Sequence, residues 1–68
     1  MGMDIIVNGS KTTVPEDYTA AQLVEALALG ERRIAMEVNE EIIPRSQYPQ
    51  HRFNQGDRIE IVHAVGGG

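Results

Sequence analysis

The chain has 68 residues, no cysteine and a formal net charge of −4 at pH 7, with Lys11 as its one lysine. This length fits one small domain, and the lack of cysteine excludes disulfides, thiolate metal sites and a thiol nucleophile on the chain itself. The charge argues against binding to a nucleic-acid backbone, and no apolar window approaches the ~20 residues of a membrane span. We expect a soluble, cytoplasmic domain over residues 3–65, preceded by Met1 and Gly2 as an added start.

The first segment predicts a β-hairpin. Apolar and polar residues alternate from Met3 to Asn8, which is the two-residue period of a strand. Asn8-Gly9 is the strongest short-range signal for a hairpin turn. We expect strands over residues 3–8 and 11–14, the second ending at Val14-Pro15 because proline cannot donate a ladder hydrogen bond.

The next segment predicts one helix over about residues 20–29. Thr19 can cap its N-terminus, with Gln22 completing a capping box, and Gly30 is the expected C-terminal stop. Four residues at helical spacing form the apolar face that should pack on a sheet: Ala20, Leu23, Val24 and Leu27.

Three further strands are predicted after the helix. Alternation over residues 34–38 indicates the third strand, and Ile42-Ile43 forms a short fourth one. Residues 45–57 are polar and irregular, with Tyr48 and Phe53 as large apolar anchors. The last strand runs to Val65, with Ile59 and Ile61 on one face and Glu60 and Val62 on the other.

Three glycines, Gly66 to Gly68, follow the last strand and form a predicted flexible tail over residues 66–68. Glycine lacks Cβ, so such a tail passes through spaces too narrow for other residues and presents its own carboxylate. The tail by itself does not separate a functional end from a frayed terminus.

These elements are best assembled as an α+β fold, a mixed sheet with one main helix packed across one face. The last strand then lies beside the first, in parallel, which is the β-grasp arrangement of ubiquitin-like proteins. A split βαβ ferredoxin-like fold is the competitor, but residues 45–57, with Pro49 and Gly56, give no sign of the second helix that it requires.

No motif for an internal active site accompanies the two histidines, His51 and His63. There is no HExxH pattern, no carboxylate–histidine cluster and no glycine-rich loop leading into a helix to hold a phosphate. We therefore expect no metal site, no bound cofactor and no catalytic residue. The acidic charge and the apolar residues near the terminus predict partner contacts at the root of the tail, from Glu60, Val62 and Val65.

Six short segments, in order and at fixed spacing, carry a resemblance to a known family. They are Ile6-Val7-Asn8-Gly9, Val24-Glu25-Ala26-Leu27, Ala35-Met36-Glu37-Val38-Asn39, Ile42-Ile43-Pro44-Arg45-Ser46, Gly56-Asp57-Arg58-Ile59-Glu60-Ile61-Val62 and the terminal Gly67-Gly68. In this combination, from Met3 to Gly68, the chain resembles the ThiS family of sulfur carrier proteins in the ubiquitin-like ThiS/MoaD group. The family minimum is a terminal Gly-Gly, so Gly66 lies outside it.

The resemblance implies a carrier and co-substrate that is not itself an enzyme. In the family, a ThiF-type enzyme uses ATP and Mg²⁺ to adenylate the terminal glycine carboxylate, here that of Gly68. A sulfur donor such as a cysteine desulfurase then supplies a thiocarboxylate, and a ThiG-type thiazole synthase takes the sulfur for the thiazole of thiamine. Gly66 and Gly67 would thread into the partner.

Two other interpretations stay open. The small subunit of molybdopterin synthase uses the same terminal thiocarboxylate, although the short length and the segment Ile43-Pro44-Arg45-Ser46 favour the thiamine branch. The second alternative is a non-covalent β-grasp interaction module, in which the glycines have no chemical role.

Overall fold

The computed structural model describes residues 1–30 and 32–63 as a five-stranded mixed sheet with one helix across one face. The strands are β1 (Gly2–Val7), β2 (Ser10–Pro15), β3 (Ile34–Val38), β4 (Glu41–Ile43) and β5 (Arg58–His63), with helix α1 (Ala20–Ala26) and a 3-10 helix (Arg45–Gln47) between them. Their order across the sheet is β2-β1-β5-β3-β4. Strand β5 is parallel to β1 and antiparallel to β3, as the predicted β-grasp arrangement requires.

The first hairpin is confirmed, with β1 starting and ending one residue earlier than predicted and β2 one residue longer at each end. Asn8 and Gly9 have φ of 49° and 85°, so both central residues of the turn are left-handed, as the tightest hairpin turns require. Gly2 is already part of β1 and lies opposite Pro15. That Met1 and Gly2 are an added start stays a prediction.

The start of α1 is also confirmed. The Thr19 hydroxyl accepts a hydrogen bond from the Gln22 amide at 3.2 Å, and the Gln22 side-chain oxygen accepts one from the Thr19 amide at 2.8 Å. This reciprocal pair is the predicted capping box, and it satisfies two backbone donors that have no partner inside the helix. Three residues of α1 are buried: Ala20, Leu23 and Val24.

The predicted end of α1 was wrong. The helix ends at Ala26, and Ala28, with φ of 59°, takes the left-handed position in place of the predicted Gly30. The Ala28 and Leu29 amides donate to the carbonyls of Glu25 and Val24 at 3.0 and 2.9 Å, which is the Schellman pattern of a helix terminus. This reversal turns Leu29 onto the core and leaves Leu27 45% exposed.

The core lies between α1 and the inner face of the sheet. Tyr48 and Phe53, the two anchors predicted in the irregular segment, are 4% and 3% exposed and close one side of it. Burial raises the pKa of Tyr48, although the Arg45 charge and a backbone hydrogen bond at Met36 act in the opposite direction. Within residues 1–30 and 32–63, no helix has the length and apolar character needed to span a membrane.

We expect Leu27→Ala to lower the free energy of unfolding by less than ~1 kcal/mol, because a side chain that is already largely exposed loses little burial. Leu23→Ala is the matched control and should cost about 2–5 kcal/mol, since Leu23 is 3% exposed. Urea titration of both variants gives the comparison. Equal losses would mean that Leu27 is part of the core after all.

Candidate functional site

The root of the predicted tail is the C-terminal half of β5, at the centre of the sheet. Val62 and His63 of β5 pair with Ala35 and Ile34 of β3, so the pairing between these two strands continues up to His63. Four predicted site residues lie outside the described residues: Val65, Gly66, Gly67 and Gly68.

Helix α1 covers one face of the sheet, and the opposite face, here called the open face, carries the remaining predicted contact residues. Ile59 and Ile61 are 1% and 7% exposed beneath α1. Because side chains alternate along a strand, Glu60 and Val62 lie on the open face, and both are exposed there. The predicted orientation of Glu60 and Val62 is therefore confirmed, whereas their contact with a partner stays a prediction.

The sheet register places three further residues beside Glu60 and Val62. Glu37 of β3 lies directly opposite Glu60, Ala35 lies opposite Val62, and Ile42 of β4 lies opposite Glu37. Val62 and Ile42 are 55% and 70% exposed. Five residues together form what we call the open-face patch: Ala35, Glu37, Ile42, Glu60 and Val62.

The two glutamates of the open-face patch repel each other. Like charges directly opposite on neighbouring strands are destabilising. Within the part of the chain that the structure describes, the one ion pair joins Lys11 to Asp4 at 3.8 Å, so no described basic group forms an ion pair with Glu37 or Glu60. Glu40 and Arg58 border the same shallow depression as this pair. The open-face patch thus combines exposed aliphatic groups with two acidic side chains, and Arg58 lies beside them without forming an ion pair.

The histidines do not form a site. His51 meets the ring of Phe53 edge-on at a centroid distance of 5.5 Å, whereas His63 is exposed at the end of β5. In residues 1–30 and 32–63, no three His, Asp or Glu side chains form a group that could hold a metal ion.

Comparison with known proteins gives the family. The model described as the ThiS family matches residues 3–68. The chain belongs to the ThiS family. The sulfur carrier protein ThiS of Escherichia coli strain K12 is 30% identical over 66 residues, which cover 97% of this chain and 100% of that protein. The predicted family resemblance is confirmed.

A solved ThiS structure has the same fold. The thiamine biosynthesis protein ThiS from Geobacter metallireducens matches with a TM-score of 0.82 and 29% identity, over 97% of this chain and 100% of that one. The predicted β-grasp fold, with a mixed sheet and one main helix, is therefore confirmed for this ThiS family member.

ThiS-like sequence also occurs inside a longer relative. A protein named thiazole synthase, from Paramagnetospirillum magneticum, is 38% identical over 66 residues, which cover 97% of this chain but 20% of that protein. This chain therefore spans about a fifth of the length of that thiazole synthase.

Proposed function

We propose that the protein is a sulfur carrier of thiamine biosynthesis whose Gly68 carboxylate is adenylated, converted to a thiocarboxylate and used as the sulfur source for thiazole formation. The observation that carries this proposal is the ThiS family match over residues 3–68, which includes the terminal Gly67-Gly68. The same match favours the thiamine branch over the small subunit of molybdopterin synthase.

The chemistry follows from the properties of a terminal carboxylate. With a reference pKa of about 3.3–3.7 it is an anion at neutral pH, and its carbon is a poor electrophile. In the proposed reaction a carboxylate oxygen attacks the α-phosphorus of ATP and displaces pyrophosphate. A persulfide sulfur of the donor then forms the C–S bond as the C–O bond to AMP breaks. A thiol reduces the resulting acyl disulfide, which leaves the thiocarboxylate on the carrier and a disulfide between that thiol and the donor. The lack of cysteine suits this role, because the carrier has no thiol that could intercept the acyl adenylate.

In this proposal the catalytic groups, ATP and Mg²⁺ belong to a ThiF-type activating enzyme, and the sulfur comes from a donor such as a cysteine desulfurase. The chain itself acts as a co-substrate in the cytoplasm. Gly66 and Gly67 thread the carboxylate into the enzyme, since only residues without Cβ pass through the narrowest channels.

A ThiG-type thiazole synthase is the proposed acceptor of the sulfur. The match to a segment of a longer thiazole synthase supports this partner. Joining a carrier and its acceptor in one polypeptide makes their encounter intramolecular and raises the effective concentration of each for the other.

The open-face patch is the proposed docking surface. It surrounds the part of β5 that leads into the tail, and its exposed Val62 and Ile42 offer apolar area while Glu37 and Glu60 offer negative charge. A partner with a complementary surface would cover the aliphatic side chains and bring basic groups to the two glutamates, with Val65 as a further predicted contact. Charge complementarity of this kind acts mainly on the association rate.

Intact mass spectrometry tests the proposed function directly. After incubation with ATP, Mg²⁺, a ThiF-type enzyme and a sulfur donor, the mass should rise by the difference between one sulfur and one oxygen atom. A reaction without ATP is the control. If the mass stays unchanged with an enzyme that modifies its own carrier, the protein is a non-covalent interaction module.

Adding a leucine after Gly68 should nearly abolish ATP–pyrophosphate exchange, because it displaces the carboxylate and introduces a Cβ into the channel. A misplacement of ~1 Å can already cost about 100-fold in rate. Deleting Gly68 is the matched control, since it leaves a Gly-Gly end and should keep part of the activity. The melting temperature of both variants should equal that of the wild type, and full exchange by the extended protein would rule out Gly68 as the reacting residue.

Glu60→Lys should slow association with the activating enzyme by about threefold to tenfold, because it reverses a charge inside the open-face patch. Glu25→Lys makes the same change of net charge at an exposed position of α1 and should have a smaller effect. Stopped-flow association at increasing salt gives both rates. The open-face patch is the wrong surface if the two variants slow association equally.

A further inference from the structure

Strand β5 loses its neighbour on one side before it reaches the tail. The parallel pairing with β1 covers only Ile6 with Arg58 and Val7 with Ile59, after which β1 turns away at Asn8 and Gly9. On the other side, β3 accompanies β5 as far as His63. Among the described strands, the half of β5 nearest the tail therefore has a strand neighbour on one side only.

The Asn8 side chain takes the place of the missing strand. The Asn8 backbone amide donates to the Ile59 carbonyl at 2.8 Å, as the next residue of a parallel strand would. A regular strand would then accept the Ile61 amide on its own carbonyl. Here the side-chain oxygen Oδ1 of Asn8 accepts that amide at 2.8 Å, and Nδ2 donates back to the Ile61 carbonyl at 3.2 Å.

Asparagine suits both the backbone conformation of the turn and the two hydrogen bonds to Ile61. The turn requires φ of 49° at residue 8, a conformation that Gly, Asn and Asp adopt most readily. Glycine has no side chain to reach Ile61. Aspartate could accept the Ile61 amide, but its ionised carboxylate has no hydrogen to donate to the Ile61 carbonyl.

We propose that Asn8 is a positioning residue for the C-terminal carboxylate. Its side chain fixes Ile61, two residues before His63, the last residue that the structure describes. This inference rests on the proposed function, in which the carboxyl carbon of Gly68 must reach the nucleotide in the partner's site. In this proposal Asn8 acts on the carboxylate only through Ile61, so it is a positioning residue and not a catalytic one.

Asn39 provides a matched comparison at the other end of β5. It has φ of 51°, and its backbone amide donates to the Arg58 carbonyl at 2.8 Å while its side-chain oxygen accepts the Arg58 amide at 3.0 Å. Its side-chain nitrogen donates to the Asp57 carboxylate at 3.0 Å. Asn39 thus makes similar bonds to the same strand, but at the residue farthest from the tail.

The test compares Asn8→Gly with Asn39→Gly, because glycine keeps each turn and removes only the side-chain hydrogen bonds. Amide hydrogen exchange should accelerate at Ile61 in Asn8→Gly and at Arg58 in Asn39→Gly, with similar losses in melting temperature. In ATP–pyrophosphate exchange, kcat should fall by about tenfold or more in Asn8→Gly, since small displacements of a reacting group are costly. Asn39→Gly should keep a kcat close to that of the wild type.

Asn8→Asp keeps the bond to the Ile61 amide and loses the bond to the Ile61 carbonyl, so its kcat should be lower than that of the wild type. This variant provides the test if Asn8→Gly fails to fold. If the wild type is active and the Asn8 and Asn39 variants have equal kcat values, the positioning role of Asn8 is overturned and the proposed function is not. A wild-type protein that supports no exchange, with an enzyme active on its own carrier, would instead overturn the proposed function.

Discussion

The structure depends on the insertion of β5 between β1 and β3. Without it, the chain would be two separate hairpins, β1 with β2 and β3 with β4, joined by α1. Ile59 and Ile61 bring the last part of the sequence under α1 and contribute to both halves of the core. The pairing of β5 with β1 also joins residues more than fifty positions apart, a loop closure that the buried side chains must offset. The proposed reacting residue, Gly68, follows this strand in the sequence, so under the proposed function one element serves both stability and function.

Side chains from three turns form hydrogen bonds next to the start of this strand and within its second half. At its start, the carboxylate of Asp57 is buried and accepts hydrogen bonds from the Asn39 side chain at 3.0 Å and the Asn54 amide at 2.8 Å. A buried carboxylate is tolerated when its oxygens are bonded in this way. Farther along β5, Asn8 binds both polar groups of Ile61. The strand is therefore held by its neighbours along its length and by asparagine side chains where those neighbours turn away.

Local signals were enough to predict most of the fold. The Asn8-Gly9 turn, the Thr19 capping box and the alternation in β3 and β5 depend on residues close in sequence, and each was predicted correctly. The end of α1 was not, because the burial of Leu29 decides which residue becomes left-handed, and a glycine two positions after Ala28 gave the stronger local signal. The same limit applies to the candidate site. Alternation predicted the exposure of Glu60 and Val62. Glu37 and Ile42 lie beside them only because of the register of the folded sheet, which local signals do not give. The bonds of Asn8 to Ile61 could not be predicted locally either, because they join residues 53 positions apart.

One helix is enough to cover one face of this sheet, and the composition of the other face follows from its proposed use. Two exposed aliphatic residues and two glutamates directly opposite each other on the open face do not stabilise the isolated domain. Under the proposed function this face would stabilise a complex, in which the partner buries the aliphatic area and brings basic groups to the glutamates. Under the proposed function the carboxyl carbon must visit two enzymes in turn, one that activates it and one that takes its sulfur. Each complex must therefore dissociate, and a small patch that speeds association through charge serves such exchange better than a large apolar interface, which would slow release.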